Sequence, residues 1–461
     1  MFRRSLIGSL PALACLVALP CLVALGASAS SAAPTGSAPS FAPHRSYGTG
    51  KRPVSVAIGD LNGDRKPDLA TANRDASTVS VLLNRGDGSF RPKRNYATGR
   101  HPDSVAIGDL NGDGKPDLAA ANYDTNSASV LIGRGDGSFQ PKVDLKAGGH
   151  PLSVAIGDLN GDGKPDLATT SSVLLNRGDG SFQPKLDYAI RGSASSIVIG
   201  DLNDDRKPDL AAANLDANAV SVLLGRGDGT FRPERDYATG PLPESVAIGD
   251  LNGDGNPDLA TANADPYKVS VSVLLNRGDG SFKHKLDYAA GTPTETCFGC
   301  LSQPLSVAIR DLNGDGKPDL ATANYGGSVS VLPNRGDGSF QAKLDYYPYP
   351  ELGARSVALA DLNGDRKPDL ATANAASNSV SVLLNRPGLC TVQDVWRQTV
   401  PAAKRTLARA NCRVGKIRRA YSVPYSKVKR GTVISQKPNF GAVLPGGSKI
   451  NLVVSLGRRP S

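Results

Sequence analysis

A nine-residue string, DLNGDGKPD or a close variant, recurs seven times along the 461-residue chain. Its copies begin at Asp60, Asp109, Asp158, Asp201, Asp250, Asp311 and Asp361. They lie 49, 49, 43, 49, 61 and 50 residues apart, and a period near 50 is typical of propellers built from four-stranded blades. Each copy also carries four short apolar runs between turn residues, which predict a meander of four strands. In the second copy these runs cover residues 104–107, 118–121, 128–132 and 139–145. The chain is therefore predicted to be all-β and to form a seven-bladed β-propeller.

The chain also contains a strand that can close the ring. Residues 40–50, SFAPHRSYGTG, align with residues 89–99, SFRPKRNYATG, which form the predicted fourth strand of the first blade. The seventh repeat lacks this strand, because it ends at Arg386 and is followed by Pro387. We expect the N-terminal segment to supply the outer strand of the last blade, so that no blade edge is left unfinished.

The repeated string has the donor pattern of a calcium loop. Asp, Asn, Asp and Asp occupy positions one, three, five and nine in all seven copies. Calcium prefers hard oxygen ligands at alternating loop positions, and the carbonyl of the seventh residue is a fifth candidate. Glycine at position four permits the tight turn, and only the fourth copy departs, with Asp204. One such string is also compatible with a solvated hairpin, but seven intact copies favour calcium loops holding up to seven Ca²⁺ ions. The candidate ligands are Asp60, Asn62, Asp64, Lys66 and Asp68; Asp109, Asn111, Asp113, Lys115 and Asp117; Asp158, Asn160, Asp162, Lys164 and Asp166; Asp201, Asn203, Asp205, Lys207 and Asp209; Asp250, Asn252, Asp254, Asn256 and Asp258; Asp311, Asn313, Asp315, Lys317 and Asp319; and Asp361, Asn363, Asp365, Lys367 and Asp369.

With these motifs, residues 40–386 resemble the FG-GAP/VCBS family, the blade unit of integrin alpha-chain propellers and of many secreted bacterial proteins. The resemblance implies that the loops are calcium-binding hairpins. It also implies that partners are met on the propeller face opposite these loops.

A second repeated string is Arg-Gly-Asp, which begins at Arg85, Arg134, Arg177, Arg226, Arg277 and Arg335. One interpretation is an integrin ligand. The favoured interpretation is structural, because each copy lies in RGDG between the third and fourth strands, where two glycines suit a tight hairpin. In a meander this hairpin and the calcium loop emerge at the same end of the blade.

The loops at the opposite end differ between repeats, and irregular loops on a regular scaffold usually carry recognition. The third copy lacks the usual loop at residues 168–173, whereas insertions occur at 266–268 and 291–304. The loop that enters the last blade adds Tyr347, Tyr349 and Glu351. We expect an unknown protein or glycan ligand on this face.

Two residue pairs on these loops have open interpretations. Cys297 and Cys300 form a local disulfide, a redox-active pair, or free or intermolecular thiols; the thioredoxin-like context for a redox pair is absent. His101 and His150 stand at matching positions before proline. They are ordinary surface histidines beside turns or, alternatively, a metal ligand or general base.

Residues 1–33 are interpreted as a secretory signal peptide. Arg3 and Arg4 supply the positive start, residues 6–25 the apolar stretch and residues 27–29 the small-residue cleavage site. An uncleaved anchor is the alternative, which Pro11 and Pro20 disfavour. We therefore expect a secreted mature chain without a transmembrane segment; the arginine pair is a weak twin-arginine signal, so the export route stays open.

Residues 387–461 differ from the repeats in both charge and pattern. They contain 15 Lys and Arg against one acid, Asp394. Residues 399–410 predict a helix, with Pro401 in its first turn. Residues 431–436 and 449–455 alternate apolar and polar side chains, which predicts two strands.

This segment resembles a PASTA domain, the small extracellular module of cell-wall-associated kinases and penicillin-binding proteins. The resemblance rests on GTVISQKP at 431–438, Gly441, PGG at 445–447, LVVSLG at 452–457, and the valines and Asp394 near the start. Gln393 and Arg397 stand where the family usually has Pro and Gly. Some modules of this family bind peptidoglycan and others act as spacers. We expect a small α+β domain after a propeller of residues 34–386.

Cys390 and Cys412 bracket the first strand and helix of the predicted C-terminal domain. A disulfide between them would contribute about 3.4 kcal/mol in the chain-entropy model. A domain of this size benefits from such a covalent link.

Two classes of function are consistent with the sequence. The first is a non-catalytic binding or adhesion protein, secreted, monomeric and retained at the cell wall by its basic C-terminal domain. The positive charge of that domain favours binding to an anionic wall polymer or peptidoglycan. Nucleic acid is disfavoured as a partner, because an exported protein does not normally meet it.

The alternative is an extracellular polysaccharide-active enzyme with its site on the variable loops. The scattered acid or base candidates for it are His101, Asp103, His150, Glu244 and Glu295.

Overall fold

A computed structural model describes residues 38–291, 302–346, 353–422 and 428–457. Several predictions concern residues outside these ranges and are not addressed by the structure. They are the signal peptide, the Cys297/Cys300 pair, Glu295, and the loop residues Tyr347, Tyr349 and Glu351. The described residues belong to one compact unit.

The described repeats form seven four-stranded antiparallel sheets, which confirms the predicted all-β propeller. Blade one contains β2 (Pro53–Gly59), β3 (Asp68–Asn73), β4 (Thr78–Leu82) and β5 (Arg94–Ala97). Blade two contains β6 (Pro102–Gly108), β7 (Asp117–Asn122), β8 (Ser127–Leu131) and β9 (Val143–Lys146). Blade three contains β10 (Val154–Gly157), β11 (Asp166–Thr169), β12 (Ser172–Leu174) and β13 (Leu186–Asp187). Blade four contains β14 (Ala194–Gly200), β15 (Asp209–Asn214), β16 (Ala219–Leu223) and β17 (Arg235–Ala238).

The remaining three blades follow the same order. Blade five contains β18 (Pro243–Gly249), β19 (Asp258–Asn263), β20 (Ser270–Leu274) and β21 (Leu286–Ala289). Blade six contains β22 (Pro304–Arg310), β23 (Asp319–Asn324), β24 (Ser328–Leu332) and β25 (Leu344–Tyr346). Blade seven contains β26 (Ala354–Ala360), β27 (Asp369–Asn374) and β28 (Ser379–Leu383), and it is completed by β1 (Arg45–Gly48).

The fourth strand of each blade is shorter than the sequence predicts. In blade two the predicted run begins at Phe139, whereas β9 begins at Val143. Phe139 forms only an isolated bridge with Gly133. The ladder is interrupted between Phe139 and Val143, and the same interruption occurs in blades five and six, which have His284 and Ala342 where blade two has Pro141.

The N-terminal strand closes the ring, as predicted. β1 pairs antiparallel with β28, so that Arg45 lies opposite Val382 and Gly48 opposite Ser379. Phe41 is 1% exposed and meets the Tyr346 ring edge-on at a centroid distance of 4.8 Å. Equivalent Tyr–Phe pairs join most neighbouring blades, so the N-terminal segment makes the same joint as an ordinary fourth strand.

A complete ring of hydrogen bonds runs around the innermost strands. In each blade one serine hydroxyl accepts the backbone N–H that follows the equivalent serine of the next blade, at 3.2–3.4 Å. The accepting side chains are Ser55, Ser104, Ser153, Ser196, Ser245, Ser306 and Ser356. The seventh bond, from the Val56 N–H to the Ser356 hydroxyl, joins the last blade to the first. The ring is therefore closed on the inside as well as at its outer strands.

The hydrophobic core lies between the blades. The second strand of most blades, DLATAN or DLAAAN, is buried along its whole length. The small alanine side chains allow the neighbouring blade to approach closely. Leucines and valines of that blade fill the space between the two sheets. Burial of these side chains stabilises each blade only against its neighbours, which is why the ring must close.

The C-terminal residues form a small α+β domain. Its elements are β29 (Leu389–Thr391), α1 (Val400–Arg409), β30 (Arg413–Ala420), β31 (Val433–Lys437), β32 (Val443–Pro445) and β33 (Lys449–Ser455). β29 pairs with β32, and β33 lies between parallel β30 and antiparallel β31. The helix and both predicted strands are present, with Thr399 as the helix N-cap, and Cys390 and Cys412 form the expected disulfide.

One continuous core joins this domain to the propeller. It contains Phe41 and Tyr346 from the propeller together with Val395 and Leu407 from the C-terminal domain. Gln393, which is 4% exposed, accepts the Asp345 N–H at 2.9 Å and donates to the Asp345 carbonyl at 3.0 Å. Gln393, which stands where PASTA domains usually have proline, thus binds the C-terminal domain to the outer strand of blade six.

Candidate calcium loops and ligand-binding face

Each repeated loop is folded around its first aspartate. The Asp60 carboxylate accepts the N–H groups of Asn62 at 3.3 Å, Asp64 at 3.1 Å and Arg65 at 2.7 Å. Gly63 has a φ of 75° and Arg65 a φ of 65°, and this left-handed backbone turns the chain around the carboxylate. The backbone amides of the loop therefore point toward the Asp60 carboxylate.

The ninth-position aspartate is fully buried and connects three strands. Asp68 accepts the Leu61 N–H at 2.9 Å and the Asn84 N–H at 2.7 Å. Burial raises the pKa of Asp68 to about 6, and the nearby Asp64 and Asp60 charges add to this increase. The same effect raises the pKa to about 6 or 7 in every copy, at Asp68, Asp117, Asp166, Asp209, Asp258, Asp319 and Asp369.

The donor set fits a hard cation in its chemistry. Every loop offers three carboxylates and an amide oxygen at its candidate ligand positions. Asp60 Oδ2 and the two carboxylate oxygens of Asp68 each accept one backbone N–H, which leaves one lone pair on each for a metal bond, whereas Asp60 Oδ1 already accepts two. As placed, however, no three acidic, His or Cys side chains within the described ranges lie close enough together to hold a metal ion. In the first loop the Lys66 ammonium lies 3.5 Å from Asp64 instead. Calcium binding at the loops therefore remains a prediction.

The Arg-Gly-Asp strings form tight hairpins, in agreement with the structural interpretation. In the first copy Asp87 accepts the Ser89 N–H at 2.9 Å, and Arg85 donates through Nη1 to the Phe90 carbonyl at 2.5 Å. Gly86 and Gly88 have φ values of 96° and 73°. The arginine and aspartate side chains of the motif thus stabilise the turn that contains them.

The hairpins and the candidate calcium loops share one face of the propeller. In blade six the Lys317 ammonium donates to the Arg335 carbonyl of the hairpin at 2.7 Å. Between blades, the Gly229 N–H of the blade-four hairpin donates to the Leu159 carbonyl in the candidate calcium loop of blade three at 3.1 Å.

An asparagine before the hairpin links neighbouring blades, and sequence analysis missed it. Asn84 is 1% exposed and donates through Nδ2 to the Pro67 carbonyl at 2.9 Å and to the Leu362 carbonyl of blade seven at 2.8 Å. Asn176, Asn276, Asn334 and Asn385 make the equivalent pair of bonds. Blades two and four have Gly133 and Gly225 at this position. The available signal was the recurrence of Asn directly before Arg at the end of the third strand in five of the seven repeats, four of them before RGDG and one before Arg386-Pro387.

On the opposite face, both candidate histidines contact the loop between β7 and β8 of blade two. His101 Nδ1 lies 3.0 Å from Asp124 Oδ2. His150 stacks against Tyr123 with ring centroids 4.6 Å apart, and its Nδ1 lies 3.1 Å from the Tyr123 carbonyl. These contacts agree with the interpretation of both side chains as surface histidines that support turns.

The structure places Asp103 and Glu244 at equivalent positions, together with Arg355. Each precedes the ring serine of its blade, at the irregularity that begins the innermost strand. Burial raises the pKa of both acids and lowers that of Arg355. Arg74 Nε lies 3.3 Å from Asp103, whose second oxygen is buried without a hydrogen-bond partner. β-Bulges often re-aim side chains beside binding sites. We call this charged group the inner polar cluster; of its members, only the acids Asp103 and Glu244 were identified from the sequence, as scattered candidates.

The fold and its repeated loops define the chain as a β-propeller of aspartate-rich repeats. Models of an FG-GAP-like repeat match residues 60–120, 109–169, 201–261, 257–322 and 311–372. A PASTA domain model matches residues 391–456. The chain belongs to the FG-GAP-like repeat family and carries a C-terminal PASTA domain.

Similarity to solved structures shows the fold alone. BBS1N in complex with ARL6DN, soaked with mercury, is 12% identical, with a TM-score of 0.52 over 77% of this chain and 98% of that chain. A lead-soaked crystal of the same complex is 13% identical, with the same TM-score. An Agrocybe aegerita lectin, described as recognising non-reducing terminal N-acetylglucosamine, is 21% identical over 72% of this chain and 86% of that chain, with a TM-score of 0.48.

The combination of FG-GAP-like repeats and a PASTA domain fits an extracellular or cell-wall binding protein. In the part of the chain that the structure describes, no helix has the length and apolar character needed to cross a membrane.

Proposed function

We propose that this protein is a secreted, calcium-stabilised, non-catalytic binding protein that is retained at the cell wall by its PASTA domain. The observation that carries the proposal is the set of seven like loops on one face of a ring whose core continues into the basic domain. One face is then occupied by ions, and the other presents the variable loops to a protein or glycan ligand.

Calcium would change the charge of the propeller as well as its stability. Residues 34–386 contain 36 Lys and Arg against 42 acids, a formal charge of −6. Each loop carries three carboxylates at its ligand positions, so one bound Ca²⁺ leaves these positions at −1. Seven filled loops would bring the propeller to about +8, which attracts anionic wall polymers at low salt. The residues that would hold each ion are those at positions one, three, five, seven and nine.

The PASTA domain supplies a second basic surface. Lys416, Arg418 and Arg419 are exposed on β30, which forms an edge of its sheet. Residues 387–461 have a formal charge of +14. Such a surface binds anionic polymers through several weak contacts, and its affinity falls as salt rises.

Retention on purified peptidoglycan and on wall polymer tests this proposal. The mature full-length protein should sediment with the wall fraction in calcium and be released by chelator or by raised salt. Changing Lys416, Arg418 and Arg419 together to Gln should weaken retention several-fold. Equal retention of this variant, or no wall binding by the wild type, would refute the assignment.

A matched control makes the same chemical change on the propeller. Arg45, Arg91 and Arg94 are exposed on or beside outer strands, and their change to Gln removes the same number of charges. The control should weaken wall binding less than the β30 variant does, because the basic surface on β30 is intact.

The inner polar cluster keeps a polysaccharide-active enzyme as the second candidate. Asp103 and Glu244 are acids with raised pKa on one ring, which is a property of general acids. Release of reducing ends from wall polysaccharide during incubation, lost in Glu244→Gln, would favour the enzyme. Retention without turnover would favour the binding protein.

A further inference from the structure

An Asn–Gly dipeptide occupies positions three and four in six of the seven repeated loops. The six asparagines are Asn62, Asn111, Asn160, Asn252, Asn313 and Asn363, whereas the fourth loop has Asn203 followed by Asp204. Asparagine before glycine is prone to deamidation, because glycine has no side chain to hinder attack by its backbone nitrogen on the asparagine amide. The loops therefore repeat a site of spontaneous chemical modification.

The reaction needs no reagent other than water. The glycine nitrogen loses its proton and bonds to the asparagine Cγ within the same chain, and the side-chain amide leaves as ammonia, which gives a five-membered succinimide. Water then opens this ring at one of its two carbonyls, and the product is aspartate or isoaspartate. In sum, an amide and water become a carboxylate and ammonium, so each event adds one negative charge to the loop.

A hydrogen bond opposes the first step in five of the six loops. The N–H of the fourth loop residue donates to the first aspartate at 2.7–2.8 Å, and the donors are Gly112, Gly161, Gly253, Gly314 and Gly364. Attack removes this proton, so it breaks a hydrogen bond to a charged acceptor. The nitrogen anion would also face a carboxylate of the same charge. These five dipeptides are therefore protected by their own loops.

The first loop lacks this protection. Within the described ranges the Gly63 N–H makes no hydrogen bond, although the N–H groups of Asn62 and Asp64 on either side donate to Asp60. Asn62 Oδ1 accepts the Asp64 N–H at 2.9 Å, which draws electron density away from Cγ, the atom that is attacked. The nitrogen is thus unrestrained while the carbonyl is polarised.

The seventh loop is a matched comparison within the same chain. Both loops have the sequence DLNGDRKPD, and in both the asparagine is half-buried and the glycine exposed. In the seventh loop the Gly364 N–H donates to Asp361 at 2.7 Å, and Asn363 donates through Nδ2 to Asp365 at 3.3 Å. Neither bond has a counterpart in the first loop, all nine residues of which the structure describes. The two strings therefore differ in hydrogen bonding and not in local sequence.

We propose that Asn62 is the asparagine of these loops that deamidates first in the folded protein. The product places a carboxylate at the third position of the first loop, and isoaspartate also lengthens the backbone within the turn around Asp60. The inference does not depend on the proposed function, because the reaction requires neither calcium nor a wall ligand.

Tryptic peptide mapping of the mature full-length protein tests the inference. The protein is incubated in chelator at mildly alkaline pH, below the melting temperature measured in the same buffer. Trypsin cuts after Arg65 and after Arg366, so mass spectrometry reads the two identical strings in different peptides. Asn62 should deamidate about tenfold faster than Asn363, because only the seventh loop must break a hydrogen bond to a carboxylate. In guanidinium chloride the two rates should become equal, because only the shared local sequence remains.

Gly63→Asp is the matched variant. It gives the first loop the Asn–Asp order of the fourth loop, where Asp204 has a φ of 58°, and the added side chain should slow the reaction at Asn62 several-fold. An unchanged melting temperature shows that this variant is folded, and a wild-type rate in it would exclude attack by the nitrogen of residue 63.

Four results with the wild-type protein would overturn the inference. They are equal rates at Asn62 and Asn363 in the folded state, faster reaction at any of the five protected asparagines, a difference in rate that persists in guanidinium chloride, and an unmodified Asn62 under conditions that deamidate the unfolded chain.

Discussion

The strongest test of the closed ring is the removal of one aromatic side chain from the N-terminal segment. Phe41 is 1% exposed and lies 4.8 Å from Tyr346 between ring centroids, at an interplanar angle of 83°. Phe41→Ala should destabilise the protein by about 3–5 kcal/mol, because a buried Phe is lost and a cavity is left. The lost edge-to-face pair accounts for about 0.5–1.5 kcal/mol of this cost.

Urea unfolding followed by two probes measures this effect. Trp396, the single tryptophan of the chain, reports on the PASTA domain, and far-ultraviolet circular dichroism reports mainly on the blades. Phe41 and Tyr346 share a core with Val395 and Leu407, so both probes should shift together. With an m-value of about 3 kcal/mol/M, the midpoint should fall by about 1–2 M.

Two variants control for the position of the change. Phe139→Ala removes a ring that is 4% exposed and pairs with Tyr96 in the equivalent joint of blade two, and it should cost a similar free energy. Arg45→Ala changes an exposed residue of the same N-terminal segment and should cost less than about 0.5 kcal/mol. A loss below about 1 kcal/mol in Phe41→Ala, or a shift in only one probe, would refute the argument for a shared, ring-closing core.

Three further predictions concern contacts between and within the domains. Asn84→Ala should cost about 1–3 kcal/mol in urea unfolding, because two carbonyls lose their buried donor; an unchanged midpoint would show that water replaces it. Gln393→Ala should lower stability by a similar amount and separate the Trp396 transition from the blade transition, and coincident transitions would contradict its role in docking. Replacing Cys390 and Cys412 by Ser should cost about 3.4 kcal/mol, read from the Trp396 transition, and a wild-type midpoint would argue against the chain-entropy estimate.

The repeat pattern predicted the local structure of the propeller well, because each blade repeats the same turns and apolar runs. Strand number, hairpin turns and the closing strand at residues 45–48 all follow from spacing and alignment. The fourth strand of blade two was predicted too long, because the sequence pattern does not show that the ladder is interrupted between Phe139 and Val143. β30 was missed because RVGKIRRA lacks a regular alternation, and its strand conformation depends on parallel pairing with β33.

Contacts between blades were the part that sequence spacing could not predict. The serine ring and the Asn84 bonds join residues of different repeats, and such partners are set by ring geometry rather than by local periodicity. Asp103, Glu244 and Arg355 each lie six residues before the first aspartate of a repeated string, so alignment of the repeats shows their common position, but only the closed ring brings them near one another. Gln393 was visible as a departure from the PASTA pattern, but its reason lies in the Asp345 backbone of another domain.

Calcium content and thermal stability together test the central claim most directly. Native mass spectrometry of the mature full-length protein in calcium should show up to seven bound ions. Chelator should lower the melting temperature, because free calcium at 100 times the Kd of a site adds about 2.7 kcal/mol to the free energy of unfolding for that site. Asp158→Asn should remove one ion from the count, whereas Asp187→Asn, at an exposed acid outside the loops, should remove none. A native protein without calcium by elemental analysis, with the same melting curve in calcium and in excess chelator, would contradict the account.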